Sequence, residues 1–397
     1  MPDLVELRVG APAHGGHCVA RGPDGRVVFV RHALPGELVL ARITEQAGSF
    51  WRADACDVLE PSPERVNAPC RHAGPGRCGG CDWQHASGSA QREIKAAVVR
   101  EQLARLAQLD VPVTVEELPG GLLGWRTRVQ WAIAADGRIG LRRHRSHDVE
   151  PIDVCPLAAP GVGEPPAPRP GLTGIEVVRG DDGRRTVLGR APGPGRQARG
   201  RRPPDRIRVL SGPAQLRHTV AGRTFEVGAA GFWQVHPHAA QAFAGALLEM
   251  LRIRAGERVL DLYAGAGLFT ALLADAVGAR GAVVGVEISA QAVADTEKNL
   301  AGLPQASIVR ARVVPEVVTD ADVVVLDPPR AGAGRDVMAA VAARTRRVVG
   351  YVACDPATLA RDLRVAVDAG WRLASLRAFD AFPMTQHVEC VAVLSRG

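Results

Sequence analysis

The residues with the clearest chemical potential lie near the C-terminal end of the chain, where Cys354 follows an Asp-Pro-Pro-Arg motif at 327–330. The run 351–356 predicts that this thiol lies at a strand end, one strand after the acidic loop. Such an arrangement fits an enzyme that adds a nucleophile to a pyrimidine before methylating one of its carbons. Uracil C5 is a poor nucleophile, but a thiolate added at C6 creates an enolate whose C5 can attack a methyl donor.

The same chemistry needs a general base that removes the proton from C5. Glu389 follows in a His-Val-Glu-Cys run and can reach the pocket from a late strand. Each residue has an ordinary alternative, because a single cysteine beside proline is more often structural and a glutamate within a β run is more often solvated or paired. The thiol becomes useful when a positive neighbour or a helix start stabilises its thiolate.

A glycine loop indicates where a cofactor binds. The run 261–267, Asp-Leu-Tyr-Ala-Gly-Ala-Gly, follows a predicted strand and begins a helix. Its glycines let the backbone approach a ligand closely. A dinucleotide fingerprint would need a third glycine at Leu268 or Thr270, so the loop favours S-adenosyl-L-methionine. Glu287 ends the next strand, where it can accept hydrogen bonds from both ribose hydroxyls of the cofactor. NAD enzymes have an acid at the same place, so Glu287 does not discriminate between the two cofactors. The alternative interpretation of Glu287 is a solvated residue at a strand end.

Four cysteines predict a metal site. Cys70, Cys78 and Cys81 form a C-x7-C-x2-C pattern, and Cys155 follows in a Val-Cys-Pro-Leu run. In a chain expected to lack an export signal, spaced cysteines more often bind metal or react than form disulfides. Four thiolates suit tetrahedral zinc or an iron-sulfur cluster, and the spacing by itself slightly favours zinc. Unligated buried thiols are the remaining alternative.

Composition is typical of a globular protein with two or three domains, since 46% of the 397 residues are hydrophobic and 23% are charged. No stretch approaches the roughly 18 unbroken apolar residues of a membrane-spanning helix, and the N-terminal run does not match an export signal. We therefore expect a cytoplasmic monomer with no membrane partner. The net charge of +7 favours an anionic partner, although an almost purely arginine basic charge can also reflect genomic base composition.

Three segments must position these residues. Residues 1–60 alternate short apolar runs with turns and predict a small β-barrel. Residues 61–225 contain the cysteine pattern, a predicted helix at 91–109, several basic strands and a Pro/Gly/Arg-rich insertion at about 159–208, interpreted partly as linker. Residues 226–397 alternate helices with apolar strands, which predicts an α/β domain with a doubly wound parallel sheet that binds ligands at the carboxyl ends of its strands.

These motifs together resemble the RNA 5-methyluridine methyltransferase family over nearly the whole chain. The resemblance also includes Gly-Phe-Trp-Gln-Val at 231–235, Thr-Leu-Ala-Arg-Asp at 358–362 and Phe-Pro-Met-Thr at 382–385. It implies a class I, Rossmann-like methyltransferase domain acting on RNA, with Cys354 as nucleophile and Glu389 as base. By likeness, the cofactor-binding residues are Gln234, Tyr263, Gly265, Glu287 and Asp327.

The N-terminal residues 1–60 resemble the TRAM module, an OB-like barrel that binds RNA through charge and stacking. A purely structural barrel is the alternative. In related enzymes, Cys-Gly-Gly-Cys followed by Gln and His, as at 78–85, belongs to a 4Fe-4S cluster completed by a distant cysteine. The resemblance therefore favours an iron-sulfur cluster over zinc, in a mainly β central domain where it acts as a structural clamp or RNA-positioning element.

Several positions depart from the family pattern and bear mainly on cofactor affinity: Leu268, Ala264, His236, Asp355 where asparagine is common, and an absent acid near 309–312. The main alternative is a tRNA uridine-C5 methyltransferase. An amine-directed methyltransferase and a non-catalytic iron-sulfur RNA-binding protein are less favoured, because neither requires both the thiol and the base. A TRAM module with a cysteine cluster leans toward 23S ribosomal RNA, because related tRNA enzymes generally lack both.

Overall fold

The N-terminal segment forms a closed barrel of five strands in the computed structural model, which describes residues 4–193 and 205–396. Around the barrel the strands are β1 (Leu4–Ala13), β2 (His17–Arg21), β3 (Val27–Arg31), β5 (Phe50–Glu60) and β4 (Leu38–Gln46). Val28 and Val30 are fully buried, because alternate side chains of a strand share one face. The predicted barrel is confirmed.

Helix α1 (Gly88–Gln102) follows the three clustered cysteines. Ser87 caps it, since its side chain accepts the N–H of Ala90 at 3.2 Å. A π-helical turn, Leu103–Ala107, extends the helix and leads to the short strand β6 (Val115–Glu117). The helix predicted at 91–109 is confirmed in position, with its last turn wound more widely than expected.

A six-stranded antiparallel sheet occupies the middle of the chain. In spatial order its strands are β12 (Arg206–Ser211), β11 (Arg185–Ala191), β10 (Gly174–Arg179), β7 (Arg128–Ile133), β8 (Ile139–Arg142) and β9 (Val149–Pro151). The strand expected at 175–178 is confirmed as β10, and β11 is a second strand that the Pro/Gly/Arg-rich composition concealed. The linker interpretation is wrong for these two strands; the remaining linker run at 194–204 lies outside the described residues.

The C-terminal part forms an eight-stranded sheet, preceded by a hairpin of β13 (Gln215–Val220) and β14 (Arg223–Gly228). In spatial order the sheet contains β17 (Ala306–Arg310), β16 (Ala282–Glu287), β15 (Arg258–Leu262), β18 (Ala321–Leu326), β19 (Thr345–Ala353), β21 (Glu389–Arg396), β20 (Trp371–Asp380) and β6. The helices are α2 (Ala239–Leu251), α3 (Leu268–Val277), α4 (Ala290–Asn299), α5 (Arg335–Arg344) and α6 (Pro356–Asp368).

The five strands β17, β16, β15, β18 and β19 are parallel, and their apolar runs explain why. Residues 323–326 of β18 are all fully buried, as in strands covered by helices on both faces. The first of these parallel strands in the chain, β15, pairs with both β16 and β18, so the winding reverses there. The carboxyl ends of strands at such a reversal form the usual ligand crevice. Among the described residues, no helix combines the length and apolar character needed to cross a membrane.

The edge strand β6 links the middle of the chain to this sheet. It pairs in parallel with β20, and α1 packs against α6. Buried residues of α1 such as Val99 share one core cluster with Leu363 of α6. Part of the segment 61–225 thus supports the C-terminal sheet, while the domain limits at 60 and 225 stay predictions.

Candidate active site

Cys354 lies between the end of β19 and the start of α6, half-buried at the carboxyl edge of the sheet. The next residue, Asp355, caps the helix: its Oδ1 accepts the N–H groups of Ala357 at 3.0 Å and Thr358 at 2.9 Å. A carboxylate at this position stabilises a helix start by accepting otherwise unpaired N–H groups. The thiol is therefore held at a rigid strand-to-helix junction.

Glu389 begins β21 and is buried, with 3% of its surface exposed. Strands β19 and β21 are antiparallel, and Ala353 pairs with Cys390. Continuing this register by one residue sets Cys354 against Glu389. Opposed residues of antiparallel strands have Cα atoms about 4.5–5.5 Å apart. The structure thus brings the predicted nucleophile and the predicted base together, although 34 residues separate them in the chain.

Burial and nearby charges disfavour ionisation of both the thiol and the carboxyl. Burial and the negative charge of Glu389 raise the pKa of Cys354 to about 12, and Arg330 opposes this change. Burial, together with Asp327, raises the pKa of Glu389 well above its usual range. The thiol is consequently protonated near neutral pH in the ligand-free protein, and the carboxyl takes up its proton more readily than an exposed glutamate. The positive neighbour expected from the sequence is present as Arg330, but it does not by itself produce a thiolate.

The Asp-Pro-Pro-Arg loop follows β18, and the charges of its Asp327 and Arg330 act on both catalytic candidates. Asp327 donates its N–H to Leu262 O at 3.3 Å, and burial with the nearby Asp261 raises the pKa of its carboxyl to about 7. Arg330 Nη2 lies 3.3 Å from His387 Nε2. Burial and the Arg330 charge lower the pKa of His387 to about 4, so its neutral ring accepts this hydrogen bond. The contact joins the loop to the segment just before Glu389.

The glycine loop lies between β15 and α3, as the sequence predicted. Gly265 donates its N–H to Glu287 Oε2 at 3.1 Å, which places the acid of the second strand directly beside the loop. Tyr263 has a φ of 65°, a left-handed conformation that favours glycine and marks a strained turn. A Cβ on Gly265 would meet no atom within 4 Å, whereas one on Gly267 would lie 2.8 Å from Thr296 Cγ2. The loop is therefore closed on its α4 side and open at Gly265.

Asp261 is a functional candidate that sequence reasoning missed. It is completely buried, and Thr270 Oγ1 donates to its Oδ2 at 2.5 Å. Its Oδ1 has no partner among the described residues. Burial raises the pKa of this carboxyl to about 7. A buried oxygen without a partner requires an explanation, and a cationic ligand group beside the glycine loop supplies one. The sequence feature that could have identified Asp261 is an acid near the end of an apolar strand, just before the glycine loop.

The residues that surround the crevice fit S-adenosyl-L-methionine. The unpaired oxygen of Asp261 suits the ammonium of its amino acid end, the open side of Gly265 leaves room for a ligand, and Glu287 has further lone pairs for ribose hydroxyls. Gln234 is placed differently. It lines a cavity between the central sheet and the β13–β14 hairpin with Arg128 and Trp233, and no hydrogen bond among the described residues joins it to the other cofactor candidates.

Three parts of the chain match families of known proteins. Residues 319–397 match the tRNA (uracil-5-)-methyltransferase family, and residues 4–56 match the TRAM domain. Residues 234–316 match the protein-L-isoaspartate(D-aspartate) O-methyltransferase family and contain the glycine loop and Glu287.

Relatives extend the match to the whole chain. An uncharacterized RNA methyltransferase of Streptomyces avermitilis is 47% identical, covering 99% of this chain and 98% of its own. A 23S rRNA (uracil(1939)-C(5))-methyltransferase of Chromohalobacter salexigens is 33% identical, covering 98% and 89%. The chain belongs to the RNA uracil-5-methyltransferase family. It is an S-adenosylmethionine-dependent RNA methyltransferase with an N-terminal TRAM domain.

A solved structure confirms the fold of this methyltransferase. The Pyrococcus abyssi tRNA (uracil-54, C5)-methyltransferase, in complex with S-adenosyl-L-homocysteine, superposes with a TM-score of 0.72. The match covers 98% of this chain and all of the other at 22% identity. The predicted class I methyltransferase fold is confirmed.

The four predicted metal ligands of this methyltransferase line one cavity: Cys70, Cys78, Cys81 and Cys155. Gln84 Nε2 donates to Cys81 Sγ at 3.0 Å. Burial, with smaller contributions from the neighbouring thiols, raises the pKa of Cys78 to about 11 and of Cys81 to about 12. Within 4–193 and 205–396, no group of three or more His, Cys, Asp or Glu side chains meets the spacing for a single metal ion. The predicted cluster stays a prediction.

The segment 381–388, which leads to the base, is held from two sides. From the cysteine segment, Asp82 and Trp83 donate their N–H groups to Met384 O at 2.9 and 3.0 Å, and Asp82 Oδ2 accepts the N–H of Gln386 at 3.0 Å. Because Asp82 directly follows Cys81, these hydrogen bonds join the cysteine segment to the loop that precedes Glu389.

Helix α1 holds the same segment from the other side. Gln91 Oε1 accepts the N–H of Met384 at 2.7 Å. Lys95 Nζ forms a buried ion pair with Asp380 Oδ1 at 2.5 Å and donates to Phe382 O at 3.0 Å. A buried polar chain with these partners fixes one conformation, since any alternative leaves a charge unpaired.

Proposed function

We propose that this methyltransferase converts uridine to 5-methyluridine through a covalent bond between Cys354 Sγ and uracil C6. The observation that carries the proposal is the β19–β21 register, which sets Cys354 against Glu389 at the ligand-binding edge of the sheet. A thiol nucleophile and a carboxylate base are the two groups that methylation of an unactivated C5 requires. Amine-directed methylation would need neither group.

The residues act in a defined order. The Cys354 thiol releases its proton to solvent as the ligands bind, the thiolate attacks C6, and the π electron pair of the C5–C6 bond moves toward the C4 carbonyl to give an enolate. When bound, S-adenosyl-L-methionine supplies the methyl group for C5 and the positive charge of a sulfonium. Glu389 then removes the C5 proton, the C5–C6 double bond re-forms, and Cys354 leaves as thiolate. Burial of both groups excludes water that would otherwise compete.

Ionisation of these groups must be coupled to binding. The charge of Glu389 disfavours ionisation of Cys354, and Asp327 disfavours ionisation of both. A positive charge brought into the crevice stabilises all three anionic forms. Arg330 is already positioned to favour the thiolate. We infer that the nucleophile is activated when the cofactor is in place, which protects the free enzyme from unproductive thiol chemistry.

The cofactor is held, in this proposal, by residues from three strand ends: Asp261 near the end of β15 with Tyr263 and Gly265 in the loop that follows, Glu287 at the end of β16, and Asp327 directly after β18. Asp261 Oδ1 is the best-supported contact, because it is buried and has no other partner among the described residues. Gln234 has the weakest support, since its cavity is shared with the β13–β14 hairpin.

We further propose that Cys70, Cys78, Cys81 and Cys155 bind a 4Fe-4S cluster. Support comes from the shared cavity and from the resemblance of the Cys-Gly-Gly-Cys run to cluster-binding relatives. The raised pKa values of Cys78 and Cys81 mean that binding must release protons, which makes assembly pH-dependent. Methyl transfer itself has no redox step. The cluster therefore acts structurally, through Asp82, on the loop before Glu389.

The proposed substrate is 23S ribosomal RNA, handled in the cytoplasm. The 33% identical relative, matched over 98% of this chain, is a 23S rRNA enzyme. The barrel also offers a surface for single-stranded RNA: the Arg52 guanidinium lies 5.1 Å from the Phe50 ring and 5.7 Å from the Phe29 ring. A half-buried arginine beside partly buried aromatic rings suits phosphate contact and base stacking. The target base must leave its stack to reach Cys354.

The deciding experiment maps 5-methyluridine by mass spectrometry in rRNA and tRNA from cells with and without the gene. We expect one 23S uridine to lose its methyl group in the deletion and to regain it with wild-type protein or the control Cys56→Ser, a barrel thiol remote from the sheet. Cys354→Ala should not restore it. Loss confined to tRNA would transfer the assignment to tRNA, and unchanged 5-methyluridine in both RNAs would refute the proposed activity.

A further inference from the structure

The turn between barrel strands β1 and β2 reaches into the catalytic centre. His14 Nε2 lies 3.0 Å from Asp355 Oδ2, directly beside Cys354. Two residues later, Gly16 has a φ of 78°, and a Cβ at this position would lie 2.8 Å from Asp82 Cγ. Asp82 in turn binds the loop before Glu389. The same barrel turn therefore contacts the supports of both the nucleophile and the base.

Asp355 divides its carboxylate between two tasks. Oδ1 caps α6, and Oδ2 faces His14. Asparagine, the residue common at this position in the family, would cap the helix without a negative charge. Asp355 instead places an anion next to a thiol that must itself become anionic. The Asp355 side chain is 23% exposed and that of His14 is 38% exposed, so water screens the charge only in part.

We propose that His14 is a positioning residue for the nucleophile: as a cation it holds and neutralises Asp355, so that the RNA-binding barrel helps to set the reactivity of Cys354. This inference rests on the proposed role of Cys354. The groups facing His14 are Asp355 at the start of α6, Arg361 within α6 and Glu101 of α1. Two carboxylates against one guanidinium favour the imidazolium.

Electrostatics give the direction of the effect. The hydrogen bond to Asp355 raises the pKa of His14, while burial of the ring opposes this. Burial opposes ionisation of Asp355, but hydrogen bonds and the His14 charge outweigh it and lower the pKa of Asp355 to about 2, so Asp355 is ionised at neutral pH and in turn favours the imidazolium of His14. Without His14 the full negative charge of Asp355 acts on Cys354 and disfavours its thiolate. Without the Asp355 charge, His14 has nothing to neutralise.

The first test measures the alkylation rate of Cys354 by iodoacetamide in the full-length holoprotein, with the modified peptide quantified by mass spectrometry from pH 7 to 9.5. We expect His14→Ala to slow alkylation by about threefold or more. His14→Arg should retain the wild-type rate, Asp355→Asn should be faster, and His14→Ala should have no further effect in the Asp355→Asn background. An unaffected His14→Ala rate, or an equal loss in both backgrounds, would overturn the inference.

The second test separates this role from simple RNA contact. In methylation assays with the RNA identified by mapping, His14→Ala should lower kcat with little change in the KM for RNA, and Asp355→Asn should restore kcat in the double variant. A raised KM with unchanged kcat would make His14 an RNA ligand instead. His147→Ala, an exposed histidine paired with Arg142, is the control and should match wild type. The alkylation result stands by itself if no methylated uridine is found, so failure of the proposed function is distinguishable.

Discussion

Replacing Lys95 with methionine removes one partner from a buried ion pair that supports the segment 381–388, which leads to Glu389. Lys95 and Asp380 are each 1% exposed, and Lys95 Nζ lies 2.5 Å from Asp380 Oδ1 and 3.0 Å from Phe382 O. Asp380 Oδ2 has no other partner among the described residues. The substitution therefore leaves both a buried carboxylate and a buried carbonyl without their shared donor.

Breaking a buried pair in this way costs about 3–5 kcal/mol, because the remaining charge has neither water nor a counterion. Each 1.4 kcal/mol corresponds to about a tenfold change in an equilibrium constant, so local opening should become at least about 100-fold more frequent. Arg92 on the same helix provides a matched control. Its pair with Glu117 is 25% and 51% exposed, and Arg92→Ala should cost about 1 kcal/mol or less.

Hydrogen exchange of the full-length protein measures this effect locally. We expect peptides covering α1 and residues 378–389 to exchange at least about 100-fold faster in Lys95→Met and within about fivefold of wild type in Arg92→Ala. Adding Asp380→Asn should recover at least half of the lost free energy, because it removes the uncompensated charge. Exchange in Lys95→Met within threefold of wild type, or a double variant no slower than the single one, would refute the reasoning.

Three further predictions concern the site. Glu389→Gln should allow methylation but trap the RNA, so that a covalent adduct between Cys354 and RNA accumulates on denaturing gels. Cys354→Ala should give no adduct. If the Glu389→Gln adduct never exceeds the wild-type level, Glu389 is not the base. Asp261 has a pKa raised to about 7 in the folded protein, so its ionisation destabilises the fold increasingly from about pH 4 to 7. In denaturant titrations, Asp261→Asn should therefore be more stable than wild type by about a few kcal/mol at pH 8 but by little at pH 4. Calorimetry should show a lower affinity of this variant for S-adenosyl-L-methionine. Equal stability differences at both pH values would contradict the raised pKa of Asp261. Cys81→Ser should abolish the visible absorption of the anaerobically purified protein and increase hydrogen exchange at residues 381–388. A wild-type protein that is colourless and contains zinc would contradict the iron-sulfur assignment.

Much of the fold followed from local patterns. The alternation of apolar strands and helices after residue 236 predicted the doubly wound sheet, because strands covered on both faces must be continuously apolar. The short apolar runs and turns before residue 60 predicted the barrel. Composition was misleading around β10 and β11, where prolines, glycines and arginines surround strands whose inner residues, such as Ile175 and Leu188, are almost fully buried.

The sequence predicted some residues of the candidate site and missed others. Asp261 has no distinctive motif of its own, and only its burial and its unpaired Oδ1 identify it. Gln234 came from a resemblance, and the structure sets it in a different cavity. The pairing of His14 with Asp355 joins residues separated by 341 positions, and no periodicity or spacing rule connects them.

The sequence by itself determined the chemical groups: a thiol after a strand, a carboxylate in a late strand, a glycine loop and four spaced cysteines. These are local properties, since side-chain type and strand or helix periodicity are encoded within a few neighbouring residues. The tertiary structure alone decided which groups meet and in which ionisation state. Cys354 and Glu389 become neighbours only through the β19–β21 register, and their raised pKa values arise from burial and from a nearby negative charge, that of Glu389 acting on Cys354 and that of Asp327 acting on Glu389. Neither burial nor distance is a property of any single segment of the chain.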